Sequence, residues 1–324
     1  MNVTLNDVLT ILQEHESFVI TTHVNPDGDA IGSLLALGSF LEKMNKKVHL
    51  VIDDEITASY KFLKGLEKIN KPNATLNADL LIVLDASDYD RIGNVKNITN
   101  SKILNIDHHI SNANFADYLY LDGQATATGE IIYELFQLAK FLPDENIATA
   151  LYTAIASDCG FFRYANTTAK VMRYGADLIS YGAKPNIISE ELEKRPLANI
   201  KALAKVLDTL ELHYKNKVAC ITASMELVKN ASTTEGFIDI PRTILGVDVA
   251  VMVKEVDPTT IRVSMRSKNT DVSKIAAKFS GGGHKRAAGC TINKSILEAK
   301  EAIVTAIIYE MENSKWVQVD LSMS

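Results

Sequence analysis

The chain has 324 residues, of which 47% are hydrophobic and 23% charged, and it contains 16 Gly and 7 Pro. This composition excludes a fibrous or disordered chain, and the length allows two globular domains with cores of their own. The formal net charge of −6 at pH 7 argues against a protein that coats long nucleic acid.

Strand-like and helix-like segments alternate from residue 17 to about residue 160. Strands are predicted at 17–22, 47–52, 79–85 and 102–107, and helices at 30–44, 56–66, 127–139, 144–157 and 168–180. The continuous Leu/Ile/Val run Leu80–Leu84 indicates a strand buried on both faces, as in a parallel sheet covered by helices. We therefore predict an α/β fold whose N-terminal domain is a mostly parallel sheet flanked by helices.

A long charged helix is predicted at 186–210, broken or kinked at Pro196 because proline removes a backbone donor. Its polar surface is typical of a connector between domains. Strands at 217–222, 246–255 and 260–267 follow, with helices at 271–279 and 295–312. We predict an N-terminal domain at 1–185, a connector helix at 186–212 and a smaller C-terminal α/β domain at 213–324.

The three cysteines, Cys159, Cys220 and Cys290, are odd in number and widely spaced. This spacing argues against a disulfide scaffold and against a zinc ribbon, so we expect reduced, structural thiols. No segment approaches the roughly 20 apolar residues that cross a bilayer, and the N-terminus carries no signal-like pattern. We expect a cytoplasmic protein with no membrane partner.

Acidic and imidazole side chains follow the predicted strands where each strand ends. They are His23, Asp27 and Asp29 after the first strand, Asp85 after the third, and Asp107, His108 and His109 after the fourth. In an open parallel sheet ligands collect at the carboxyl edge of the strands, where such groups would repel one another unless cations lay among them. Imidazole and carboxylate together suit Mn²⁺, Fe²⁺ or Zn²⁺ better than Ca²⁺.

Two of these segments have simpler readings when taken alone. Asn25-Pro26-Asp27-Gly28 is also ordinary turn chemistry, with the glycine allowing a sharp backbone bend. Asp85 alone resembles the aspartates that commonly end strands. Taken together and in this order, the segments predict a metal site.

The order His23-x-x-x-Asp27-x-Asp29, then Asp85, then Asp107-His108-His109, then a lone Asp158, resembles the DHH phosphoesterase family. Gly281-Gly282-Gly283-His284 resembles the signature of the associated C-terminal domain. The likeness covers nearly the whole chain. It is nearest to the subfamily of nanoRNases and 3′-phosphoadenosine-5′-phosphate (pAp) phosphatases, which includes enzymes that degrade cyclic di-AMP or its linear product pApA.

The resemblance implies two divalent cations, with Mn²⁺ first among the candidates. One cation would take His23, Asp27 and Asp85, and the other would take Asp29, Asp85, His108 and Asp158. A shared carboxylate such as Asp85 can bridge two ions, and a hydroxide formed between them would attack phosphorus in line. We expect Asp107 to orient a ligand by a hydrogen bond, and His109 to contact the scissile phosphate or protonate the leaving oxygen.

A local basic patch lies in the otherwise acidic chain, because residues 260–290 hold seven Lys or Arg and one Asp. The patch favours a small anionic ligand, although Lys274 and Lys278 at helical spacing also fit a solvated helix face. The glycine triplet permits close backbone approach to an anion, or marks a hinge or helix stop. The resemblance assigns phosphate and nucleotide recognition to Arg266, Ser267, Gly282, Gly283 and His284.

Together these features predict a divalent-metal-dependent phosphodiesterase and phosphatase that hydrolyses short nucleotides to mononucleotides. The expected substrates are pApA, cyclic di-AMP, pAp and oligoribonucleotides of about two to five residues, with no binding of long duplexes. The resemblance also suggests a homodimer. The alternatives are a pyrophosphatase or exopolyphosphatase of the same superfamily, and a non-catalytic cyclic-dinucleotide sensor, which would be expected to lack at least one metal ligand.

Overall fold

A sheet of six parallel strands organises the first of two units, Met1–Lys194, in a computed structural model that describes residues 1–313. The strands are β1 (Ser17–Thr21), β2 (Lys47–Val51), β3 (Ile69–Asn70), β4 (Leu80–Leu84), β5 (Lys102–Asp107) and β6 (Tyr118–Leu121). Their order across the sheet is β3-β2-β1-β4-β5-β6. The order reverses between β1 and β4, which is the topological switch point where open α/β sheets bind ligands.

Helices cover this sheet, as predicted. They are α1 (Leu5–Glu14), α2 (Gly28–Lys43), α3 (Thr128–Leu138), α4 (Glu145–Asp158), α5 (Ala169–Ser180) and α6 (Pro185–Glu193). Successive residues of β1 and β4 point to opposite faces, so Ile20 and Ile82 join the core formed with α2, α3 and α4. Val19 and Val83 pack on the other face, against the 3-10 segment Tyr89–Asn97. Both faces are therefore buried, which explains the continuous apolar runs of the strands.

The helix predicted at 56–66 is wrong. The segment contains a single 3-10 turn, Ala58–Tyr60, and a second such turn follows at Leu66–Lys68. Gly65 between them has a φ of 96°, a left-handed conformation that interrupts a helix. Tyr60 and Leu63 are buried nonetheless, so the apolar pattern reports core packing rather than helix.

A mixed sheet forms the second unit, which begins at Arg195. Its strands are β7 (Glu211–His213), β8 (Val218–Ala223), β9 (Val249–Asp257), β10 (Thr260–Ser267), β11 (Gly282–His284) and β12 (Ala287–Ile292), in the order β11-β12-β10-β9-β8-β7. Its helices are α7 (Leu197–Leu207), α8 (Met225–Val228), α9 (Asp239–Arg242), α10 (Val272–Ala277) and α11 (Ile296–Asn313). Strands β8 and β9 pair in parallel, and the other neighbours pair antiparallel. The second α/β domain is thereby confirmed as part of the fold class.

The connector helix predicted at 186–210, broken or kinked at Pro196, is broken there into two helices, α6 and α7. Pro196 is the N-cap of α7, and the residues before it leave the helical conformation because proline disfavours a helical neighbour on its N-terminal side. The division between the units falls between Lys194 and Arg195, inside the predicted connector. The end of the domain predicted at 213–324 lies outside the described residues.

The three cysteines are buried and unbridged, as predicted. Burial raises the pKa of Cys220 to about 12 and that of Cys290 to about 11, so both thiols stay protonated at neutral pH. No helix among residues 1–313 is both long enough and apolar enough to cross a bilayer.

Candidate metal centre

The side chains predicted as metal ligands converge at the carboxyl edge of the first sheet. Their ligand atoms form three groups, within each of which all atoms lie within 4.8 Å of one another: His23, Asp27 and Asp85; Asp29, His108 and Asp158; and Asp85, His108 and His109. The groups share members and lie where β1, β4 and β5 end, which is the switch-point edge. The edge predicted from the sequence is therefore the place where these donors meet.

Gly28 brings the start of α2 against the end of α4. A Cβ at this position would lie 2.5 Å from the Ser157 hydroxyl oxygen, so only glycine allows the contact. Asp27 and Asp29 flank Gly28 on one helix, and Asp158 follows Ser157 on the other. Gly28 does not have a positive φ. Its role is close helix packing, so the sharp bend expected from the sequence was the wrong reason for a glycine here.

Asp85 has a strained backbone and a buried carboxylate, each oxygen of which faces a different imidazole. Its φ is 55°, in the left-handed region that aspartate adopts more readily than most residues, and it is 2% exposed. Its Oδ2 lies 3.5 Å from His23 Nε2, and its Oδ1 lies 3.5 Å from His108 Nε2. Burial opposes ionisation, yet these two imidazoles hold the pKa of Asp85 well below its usual range. One carboxylate thus faces two separate imidazoles.

The tautomer of His108 is fixed by the backbone. Its Nδ1 lies 3.3 Å from the carbonyl oxygen of Ala125, which can only accept, so Nδ1 carries the proton. Its Nε2 lies 3.3 Å from Asp158 Oδ2 and 3.8 Å from Asp29 Oδ2. When the ring is neutral, its Nε2 lone pair therefore points toward the carboxylates.

The cluster favours positive charge. Burial, followed by the charges of Asp85 and Asp158, raises the pKa of Asp29 well above its ordinary value. Burial works against protonation of His108, but the carboxylates around it raise the pKa of its imidazole to about 11. Without cations Asp29 holds a proton more readily than an ordinary carboxyl group, and a bound cation would displace it. Mixed nitrogen and oxygen donors at this spacing suit a divalent transition metal. The donor set fits the metal that the sequence predicts.

Sequence reasoning missed the residues that hold Asp29. The amide N–H groups of Thr128 and Gly129, at the start of α3, donate to its two carboxylate oxygens at 2.6 and 2.8 Å. The hydroxyl of Thr128 also donates to Asp85 Oδ1 at 3.2 Å. The available signal was a Thr-Gly pair opening a predicted helix, because helix N-termini bind carboxylates.

Asp107 lies beside the donors and belongs to none of the three groups. It is fully buried, and its Oδ1 accepts hydrogen bonds from His109 Nδ1 at 2.7 Å and from the His108 amide at 2.9 Å. Its Oδ2 accepts a hydrogen bond from Asn112 Nδ2 at 2.6 Å. The contact with a carboxylate places the His109 proton on Nδ1 when that ring is neutral. Asp107 thus contacts the His109 ring and the His108 backbone, and its role in orienting a metal ligand stays a prediction.

The predicted phosphate-binding residues occupy one end of the second sheet. Arg266 of β10 and His284 of β11 pair with Ala287 of β12 from opposite sides, so two strand spacings, about 10 Å, separate them. Gly282, Gly283 and His284 are exposed. The Ser267 hydroxyl donates to the Thr270 carbonyl oxygen and is buried.

Two further basic side chains, one in each unit, make local contacts. Lys278, after α10, lies 3.4 Å from Glu310 Oε2, which agrees with a solvated helix face. Arg163, which follows Asp158, is exposed, and its Nε donates to the Gly160 carbonyl oxygen. Neither side chain belongs to the donor groups of the metal centre.

Comparison with known proteins agrees with the fold. The model of the DHH family N-terminal domain matches residues 17–155, and that of the DHHA1 domain matches residues 217–313. The chain is 32% identical over 302 residues to the bifunctional oligoribonuclease and PAP phosphatase NrnA of Thermus thermophilus, covering 92% of this chain and 91% of that protein. It is 27% identical to the Bacillus subtilis protein of the same name, covering 88% of this chain and 92% of that one.

A solved structure shares the fold. The exopolyphosphatase-related protein from Bacteroides fragilis superposes with a TM-score of 0.86 at 23% identity, covering 94% of this chain and 95% of that one. At this identity the likeness concerns the fold alone. The sequence matches are stronger evidence, and they show that this chain belongs to the DHH family, with a DHHA1 domain after its DHH domain.

Proposed function

We propose that this protein is a hydrolase of phosphate esters in short nucleotides, acting as an oligoribonuclease and pAp phosphatase. The relatives named for these activities align with it over about nine-tenths of its length. The observation that carries the proposal is the convergence of carboxylates and imidazoles around Asp85 at the switch-point edge. A complete donor set argues against a sensor that has lost catalysis.

We propose that His23, Asp27 and Asp85 hold one divalent cation and that Asp29, Asp85, His108 and Asp158 hold a second. Asp85 is suited to both because its two oxygens face different imidazoles. Mn²⁺ is the proposed ion, since it accepts nitrogen and oxygen donors together. Bound cations would supply charge for the phosphoryl oxygens and lower the pKa of water.

The residues of the chain would then position and transfer protons. Asp107 orients the His109 ring through Nδ1, so Nε2 is the nitrogen that would exchange a proton with substrate. We propose that His109 contacts the scissile phosphate or protonates the leaving oxygen.

We propose that the second unit recognises the nucleotide. The planar guanidinium of Arg266 can bind a phosphate through two N–H groups, and the backbone of Gly282 and Gly283 is exposed for close approach. His284 would contact the same end of the substrate. Ser267 would act indirectly, because its hydroxyl holds the turn that follows β10.

The proposed substrates are pApA, pAp and oligoribonucleotides of about two to five residues, with cyclic di-AMP included. We also propose a cytoplasmic location. A homodimer stays a prediction based on family resemblance.

The test is a kinetic panel of pApA, pAp, cyclic di-AMP and pyrophosphate with purified protein and Mn²⁺. We expect turnover of pApA and pAp, and a loss of at least about a thousandfold in Asp85→Ala. Asp90→Ala is the matched control, because the Asp90 side chain is 85% exposed and lies in the 3-10 segment. Preferential pyrophosphate turnover would favour the pyrophosphatase alternative, and binding of cyclic di-AMP without any turnover would favour the sensor.

A further inference from the structure

A buried carboxylate lies behind the metal centre and belongs to none of its donor groups. Glu130, in the first turn of α3, is fully buried. Its Oε2 accepts a hydrogen bond from the amide of Thr126 at 2.6 Å, and its Oε1 lies 2.7 Å from Nζ of Lys170 on α5. The Glu130 side chain is 1% exposed and the Lys170 side chain is 39% exposed, and an ion pair with one partner open to solvent contributes little to stability. Stability alone is therefore a poor explanation for this pair.

The segment that Glu130 holds, residues 125–127, connects to the centre at both ends. At its start, the Ala125 carbonyl oxygen accepts from His108 Nδ1 at 3.3 Å. At its end, the first amides of α3 hold both oxygens of Asp29. The N-cap of α3, Ala127, has no side-chain cap, and Thr126 before it is held by the Glu130 carboxylate and by Asn166, whose carbonyl oxygen accepts from the Thr126 hydroxyl at 2.8 Å. This short segment thus orients the His108 imidazole and leads into the amides that orient the Asp29 carboxylate.

Lys170 places a positive charge beside the Glu130 carboxylate. Burial works against its charge, but the carboxylates of Glu130 and Glu134 raise the pKa of Lys170 above its ordinary value, so it stays positive at neutral pH. The Lys170 ammonium lies 2.7 Å from each of these carboxylates. Among the described residues, Glu134 forms no hydrogen bond with residues 125–127. Its loss should therefore leave that segment in place, whereas the loss of Glu130 should not.

We propose that Glu130 and Lys170 are positioning residues for the cation site formed by Asp29, His108 and Asp158, an inference that rests on the proposed function. Glu130 fixes the backbone from which His108 receives its orientation, and Lys170 fixes Glu130. Within residues 1–313, neither Glu130 nor Lys170 forms a hydrogen bond or ion pair with His23 or Asp27, so removal of the pair affects one cation more than the other.

The experiment measures Mn²⁺ binding to metal-free protein by titration calorimetry, together with the electron paramagnetic resonance spectrum of the bound ions, in the absence of substrate. The variants are Glu130→Gln and Lys170→Met, with Glu134→Gln as the matched control. We expect two Mn²⁺ in the wild type and in the control, with the spectrum of a coupled pair. In Glu130→Gln one of the two affinities falls by about 10- to 100-fold, and the spectrum of an isolated Mn²⁺ replaces that of the pair.

Lys170→Arg provides the rescue, because arginine keeps the charge that Lys170→Met removes. We expect near wild-type affinity for both ions in Lys170→Arg and the loss of one in Lys170→Met, which tests the proposal even if Glu130→Gln does not fold. Wild-type affinity for both ions in Glu130→Gln and Lys170→Met would overturn the inference alone. Equal weakening of both ions, in step with a lower unfolding temperature of the metal-free protein, would also overturn it. A wild type that binds no Mn²⁺ would overturn the proposed function itself.

Discussion

The two clusters of predicted site residues differ in how firmly the fold holds them. In the first unit, Asp29 and Asp85 are at most 2% exposed, and backbone or hydroxyl donors fix their carboxylates. In the second unit, Gly282–His284 is an exposed edge strand, and the Arg266 guanidinium contacts the carbonyl of the preceding residue. The first cluster is rigid before substrate arrives, and the second has room to adjust. Changes in the first should therefore reduce turnover, and changes in the second should mainly reduce affinity.

Removing divalent cations should give the largest effect. Because the proposed catalytic groups all depend on cations, chelation followed by dialysis should reduce turnover of pAp and pApA by at least about a thousandfold. Adding Mn²⁺ should restore it, as measured by steady-state kinetics. Binding of pAp by the metal-free protein should persist in part, through the second unit. Full turnover after verified metal removal would contradict this side of the comparison.

Arg266→Ala should have the next largest effect. Loss of a charged hydrogen bond costs about 1.5–3 kcal/mol, so we expect KM to rise by about 10- to 100-fold. The turnover number should change much less, because the metal centre is intact. Lys274→Ala is the control, an exposed cation on α10 of the same unit. A fall in turnover number at unchanged KM would place Arg266 with the catalytic groups instead.

A pair of glycine substitutions compares packing in the two clusters. In Gly28→Ala the added methyl meets Ser157 at 2.5 Å and separates α2 from α4, which should cost about 1–3 kcal/mol of stability and lower Mn²⁺ affinity. In Gly282→Ala the added methyl has no atom within 4 Å among the described residues, so the free energy of unfolding should be unchanged. Urea unfolding and metal titration of both variants check this. Equal free energies of unfolding in the two variants would show that the contact between α2 and α4 has room for a methyl group at residue 28.

The pH dependence of stability should also differ between the two clusters, with a smaller effect than the changes above. Burial, followed by neighbouring carboxylates, raises the pKa of both Asp29 and Asp158. The folded protein therefore binds more protons than the unfolded chain, and stability falls as the pH rises from about 4 through the raised pKa values. His108, with its pKa raised to about 11, adds a fall above about pH 6.5. In the second unit, hydrogen bonds from the turn after Asp257 lower the pKa of that residue, so its contribution is lost only below about pH 4.

The measurement is the unfolding temperature of metal-free protein between pH 5 and pH 8. We expect it to decrease by at least about 2 °C, and excess Mn²⁺ to remove the decrease because cations replace the protons. Asp29→Asn should flatten the metal-free curve. The same slope with and without Mn²⁺ would show that the cluster does not bind the ion through these carboxylates.

The sequence was sufficient where local pattern and topology agree. Apolar runs located β1, β4 and β5, and the polar residues just after them form the cluster of carboxylates and imidazoles, because parallel strands bring their carboxyl ends to one edge. The order of ligands identified the family, which the comparisons confirm.

Other features depend on contacts between distant residues, so they could not be predicted. The contact of Gly28 with Ser157 and the hold of α3 on Asp29 join residues about a hundred or more positions apart. The helix predicted at 56–66 failed because its apolar residues pack into the core from turns. The short edge strand Gly282–His284 has no apolar pattern and forms through its pairing with β12.

The most direct test of the proposed pair of cations is anomalous diffraction from crystals grown with Mn²⁺, recorded on both sides of the manganese absorption edge. We expect two manganese peaks per chain in the N-terminal unit, both within coordination distance of the Asp85 carboxylate. The absence of peaks there, or a single peak that does not contact Asp85, would contradict the proposal.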